Sequence, residues 1–151
     1  MKKIQTKYHG EVTIEDQSVI QFEEGIPSFE EEKEFVILPF GQDSPFLILQ
    51  SVQSPALGFV TISPFDFFND YSVKLSDSTI EKLKIKSEEQ VAIFSILTVQ
   101  DPFHNTTANL RGPVVINTKE QLGKQIVLND EKYTTKHLIV KTPAPVSEEG
   151  K

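Results

Sequence analysis

Short apolar runs broken by turn residues govern what this chain can fold into. Runs such as EFVILPF, LGFVTI, VAIFSILTV and GPVVIN are rich in Val, Ile, Leu and Phe and are bounded by Gly, Pro, Asn, Asp or Ser. Runs of this length and composition mark strands rather than helices. They fall at residues 2–8, 11–14, 18–22, 34–40, 45–51, 57–62, 91–99, 112–117 and 124–128. Nine short strands with few long connections imply an all-β domain, its antiparallel hairpins closing into a barrel or packing as a two-sheet sandwich. One segment carries a helical pattern, SDSTIEKLKI at 76–85, where Ser76 or Ser78 can cap the N-terminus and Ile80, Leu83 and the Lys84 methylenes form the apolar side. A shorter helical turn is expected over SPFDFFNDY at 63–71, with Ser63 as cap and Pro64 in the first position. Residues 142–151 combine prolines with charge and have no apolar period, so they are expected to form a flexible tail after a single domain at 1–141.

The chain of 151 residues is long enough to bury a core without covalent staples. It contains no cysteine, which excludes disulfides, thiolate metal sites and cysteine nucleophiles and suits a reducing compartment. The start, MKKIQTKYHG, lacks the apolar core of a signal peptide, and no apolar run approaches the roughly 20 residues that span a bilayer. A cytoplasmic protein without membrane association is expected. Net charge is −7 and Arg111 is the one arginine, so the clustered cations that grip nucleic-acid phosphates are not evident.

Catalytic chemistry is equally hard to find. The three histidines are widely separated and form no metal-ligand spacing, and His104 in DPFHNTT reads as a surface or structural residue. No nucleophile elbow, phosphate loop or dinucleotide-binding glycine pattern occurs. No catalytic residue, metal site or cofactor is therefore assigned, and the chain is not expected to be an enzyme.

What stands out is charge. FEEGIPSFEEEKEF, residues 22–35, holds six glutamates and one lysine, a net −5 out of the −7 of the whole chain. Gly25-Ile26-Pro27 sets a tight turn there. Phe22, Phe29 and Phe35 are expected in the core, and the glutamates must face water or a partner. A helical turn starting at Glu30–Glu32 would also favour negative charge at its N-terminus. Glu30, Glu31, Glu32 and Glu34 are thus candidates for binding a basic partner. A second candidate surface is SPFDFFNDY, because Phe65, Phe67, Phe68 and Tyr71 cannot all point inward from one short turn beside Asp66 and Asp70. Phe65, Phe67, Phe68, Asp70 and Tyr71 are taken as its contact residues.

Three segments, VIQFEEGIPSFEEEKEF, LQSVQSPALGFVTISPFDFFNDY and NTTANLRGPVVINTKEQLGKQIVLNDEKY, resemble in order and spacing those of the flagellar assembly factor FliW family. The resemblance runs from about Ile4 to His137. Two positions depart from the family form: Ser28 stands where a second glycine is common, and Gly112 where alanine is common. The resemblance implies a non-enzymatic partner switch of bacterial motility, monomeric when unbound. Such a protein binds flagellin in the cytoplasm and alternatively sequesters CsrA, an RNA-binding repressor of flagellin translation, relieving repression. The rival reading is a small acidic β-barrel that binds a ligand or works as a flavin-type enzyme. The lack of a basic cluster for a flavin phosphate weighs against it.

Overall fold

The computed structural model describes residues 1–140, so the expected tail at 142–151 lies outside the described residues. All nine expected strands form: β1 (Lys2–Gln5), β2 (Glu11–Ile14), β3 (Ile20–Gln21), β4 (Glu34–Pro39), β5 (Leu47–Ser51), β6 (Gly58–Ile62), β7 (Val91–Thr98), β9 (Val114–Asn117) and β10 (Leu122–Gln125). Two further strands, β8 (Thr107–Ala108) and β11 (His137–Leu138), extend the sheet beyond β7. Each has two residues, too few to show a period in sequence.

Strands β3 to β7 follow one another as antiparallel neighbours. β7 then pairs with β9, β9 with β10, and β10 with β3, so seven strands close into a barrel. The barrel expected from antiparallel hairpins is the one that forms, and its closing pair, joining Leu122 to Gln21, is parallel. The last barrel strand also begins earlier than expected, through Gly123. The ring of Phe22 fills the space where a Cβ on Gly123 would sit, at 2.5 Å, so only glycine lets strand and ring meet there.

Side chains alternate between two buried faces. Phe35 and Ile37 on β4, Leu49, Phe59, Phe94 and Ile116 form the barrel interior with Phe22. Outward-pointing Val36 and Leu38 are covered by the β1–β2 hairpin through Ile4 and Ile14. Ile62, Leu97 and Val115 point outward on the other wall, beneath Leu83, Tyr71, Tyr133 and Leu128. Burial of both faces explains why these strands read as continuous apolar runs.

Helix α1 (Asp77–Lys82) is shorter than the pattern at 76–85. Of the two candidate caps, Ser76 is the one used, its hydroxyl accepting from the Thr79 N–H at 3.1 Å. It stops because Lys84 takes the left-handed conformation, φ 55°, with Lys84 N–H on Glu81 C=O and Ile85 N–H on Ile80 C=O. Lys84 is therefore a helix terminator, exposed rather than part of the apolar side. Fully buried Asn117 fixes that end from the barrel, its amide donating to Leu83 C=O at 2.7 Å and to Lys84 C=O at 3.2 Å.

Candidate functional site

The acidic segment folds as consecutive tight turns, with no helix at Glu30–Glu32, so the expected helix-dipole contribution is absent there. Gly25 has φ 67°, and a Cβ on it would lie 2.5 Å from the Glu30 carbonyl oxygen. Ser28 also lies in the left-handed region, φ 74°. Ile26 and Phe29 pair across this tight hairpin. Only one of them can enter the barrel, and it is Ile26, 2% exposed. Phe22 and Phe35 are buried as expected, whereas Phe29 is 40% exposed and rests edge-on against Phe59 at 5.6 Å. The core assignment of Phe29 is thus corrected.

The glutamates divide into tied and untied groups. Glu32 accepts from the hydroxyls of Ser51 and Ser54, the latter at 2.7 Å, and so staples the acidic turn to the β5–β6 connection. This explains the LQSVQS motif. Gln50, fully buried next to Ser51, holds the same connection by donating to the carbonyls of Ser51, Ser54 and Pro55 and accepting from Lys7 N–H. Glu34 accepts from the Gln21 amide at 3.1 Å. Glu24 is clasped by Lys124 at 2.7 Å and Lys82 at 3.0 Å, which tie the turn to β10 and α1. Those bonds, Lys124's first, hold its carboxyl below the usual range. Glu30 and Glu31 are exposed and meet no cation among the described residues, although Glu30 accepts from the Ser28 N–H at 3.1 Å. Arg111 makes no ion pair among the described residues.

The aromatic segment opens with a single 3-10 turn at Pro64–Asp66 and continues irregularly. Phe65 is 43% exposed and Asp70 is exposed. Phe67 and Phe68 are half-buried against the outer core. Tyr71 is a correction: only 5% exposed, it donates its hydroxyl to Leu110 C=O at 2.7 Å and meets Tyr133 edge-on at 4.7 Å. Burial, reinforced by Tyr133, pushes its phenol well above the usual range, so it remains a neutral core donor. Phe65 stacks obliquely on Tyr71 at 5.6 Å and forms the lip of an apolar cleft of about 590 Å³. Val73, Leu75, Ile80, Ile85 and Ile93 line it. No hydrogen bond, ion pair or ring contact among the described residues joins Glu30–Glu34 to Phe65–Tyr71. The sequence candidates thus form two separate surfaces.

The family is decided by residues 3–139, which match the model described as FliW protein. The chain belongs to the FliW family. It is 55% identical over 135 residues to the Flagellar assembly factor FliW of Geobacillus kaustophilus, covering 89% of this chain and 93% of that one. To the protein of the same name from Bacillus subtilis it is 51% identical over 136 residues, covering 90% and 95%. A solved crystal structure of the flagellar assembly factor FliW superimposes with a TM-score of 0.86 at 50% identity, covering 93% of this chain and 98% of that chain. FliW proteins are flagellar assembly factors and not a known enzyme family. No helix among the described residues is long and apolar enough to cross a membrane. No group of three or more potential metal-ligating side chains occurs among them.

Proposed function

We propose that this FliW-family chain works by stoichiometric binding in the cytoplasm, holding flagellin on one surface and sequestering CsrA on another so that flagellin translation is released from repression. The observation that carries the reading is the acidic turn, where exposed Phe29 stands beside Glu30 and Glu31, two carboxylates that meet no cation among the described residues. An aromatic anchor beside unneutralised charge suits a basic partner. CsrA must be basic where it grips RNA, so glutamates bound on or beside that site attract the protein and repel the RNA backbone. The repulsion extends over about 10 Å at 0.1 M salt. Flagellin is assigned to the apolar cleft behind Phe65, with Tyr71 supporting Phe65 from within the core, and Phe67, Phe68 and Asp70 are kept as contact residues of the same chain segment. No cofactor takes part.

The test uses Glu30→Gln with Glu31→Gln, which leaves the Glu32 staple intact. The double variant should associate with CsrA more slowly, with a flatter dependence on ionic strength, and displace RNA less, while its flagellin affinity stays within about twofold. Equal salt slopes and equal RNA displacement for the wild type and the double variant would sink the assignment of the acidic turn.

A further inference from the structure

The groove between helix α1 and the segment following β10 plays no part in the reading above. It measures about 570 Å³ and has residues 74–76 and α1 on one bank and residues 124–129 on the other. Lys74, Lys82 and Lys124 line it, and no carboxylate is among its lining residues. In a chain of net charge −7 this is an uncommon concentration of cations. Lys82 and Lys124 share the single carboxylate of Glu24, and Lys74 is exposed with no ion pair among the described residues, so the groove keeps a positive excess.

The backbone supplies a second, independent observation. The N–H groups of Ile126 and Leu128 donate to Pro113 and Arg111 carbonyls at 3.0 and 2.8 Å, continuing the β9–β10 ladder past the end of β10. Strand alternation places the N–H and C=O of Val127 on the opposite edge, where neither has a partner among the described residues. Upstream, that edge is occupied by β3, through the Gln21 N–H on Gln121 C=O at 2.9 Å. β3 ends at Gln21 and the edge is bare beyond. On the facing bank, the N–H groups of Val73, Lys74 and Leu75 also lack partners among the described residues. Ile126 and Leu128 are anchored in the core, while the Val127 side chain is 69% exposed.

We propose that this groove accepts an extended acidic segment of a partner protein, added as a strand along the Val127 edge with its carboxylates against Lys74, Lys82 and Lys124. A bare strand edge supplies main-chain hydrogen bonds to any extended peptide, and the side chains at alternate positions then decide which peptide is held. Here the alternate positions meet ammonium groups. A free edge that stays unpaired is an aggregation hazard, and the lysines restrict what can pair with it. Residues 126–129 offer roughly 13 Å of edge, enough for a segment of four or five residues. An incoming carboxylate shares the two lysines that Glu24 already bridges, and Lys74 takes the next one along.

The test is fluorescence anisotropy of the full chain with a fluorescein-labelled peptide of alternating glutamate and valine. It should bind saturably, and its lysine-valine counterpart should not. N-methylation of the amides along one edge of the acidic peptide should weaken binding about tenfold, and Lys74→Glu should weaken it about fivefold. Equal binding of the methylated and parent peptides, or no saturation by the acidic peptide at millimolar concentration, would overturn the strand slot. Concentration-dependent dimerisation abolished by Lys74→Glu would place a second copy of the chain in the groove and overturn the acidic partner.

Discussion

The segments 22–35 and 63–71 look alike in sequence, each mixing phenylalanines with carboxylates around a proline, yet they settle in opposite ways. In the first, two positive-φ residues force a tight reversal that puts Ile26 inside and leaves Phe29 out, while half the glutamates are bound by hydroxyls, an amide or lysines. In the second, one 3-10 turn leaves Phe65 at the surface and draws Tyr71 into the core by a hydrogen bond to Leu110. Turn geometry, more than composition, decides which aromatic is presented and which charge is free.

The sharpest way to break that contrast is to truncate the buried and the exposed aromatic of the second segment in turn. Tyr71→Ala should cost about 3–5 kcal/mol, since it opens a cavity and leaves a buried carbonyl without its donor. Phe65→Ala should change stability by less than about 1 kcal/mol and weaken flagellin binding instead. Thermal or urea unfolding beside titration calorimetry reads both, and equal destabilisation would abolish the distinction. Within the acidic turn, Glu32→Ala should lose about 1–3 kcal/mol because two serine hydroxyls lose their acceptor. Glu31→Ala should stay within about 0.5 kcal/mol. Chemical denaturation of the pair would show whether tied and untied glutamates differ as the hydrogen bonds require. The one expected gain is at Ser28: Ser28→Gly relieves a left-handed serine and should add about 0.5–1 kcal/mol, less the entropy that glycine loses on folding. A lower unfolding midpoint for that variant would mean that the serine side chain holds the turn.

The barrel strands were legible because their apolar runs and turn residues are local signals, and the serines at 76 and 78 marked the start of α1 in the same way, without deciding between them. Tyr71 and Phe29 were misplaced because burial at a turn depends on a competing residue, Ile26 in one case and a distant carbonyl in the other. The Glu32 staple and the Glu24 clasp join residues far apart in sequence, and nothing in the spacing of glutamates marks which of them will meet serines or lysines. Ser28 shows the same limit: its left-handed backbone is imposed by the turn, and a serine carries no local signal of it. The lysine-lined groove was not anticipated, since Lys74, Lys82 and Lys124 come together only when the barrel closes.

That closure has a temporal side. The meander from β3 to β6 forms between near neighbours, but the seam that completes the ring joins Gln21 to Leu122 through a single register pair. Bringing such distant residues together carries a loop-closure entropy that local hairpins avoid, so contacts of this kind form late and open early. Loop-closure entropy thus predicts an open, curling sheet that zips shut last beside Phe22 and Gly123, which hydrogen exchange during refolding would read as late protection at Gln21. Any partner that grips both sides of the seam acts as a latch on the whole barrel.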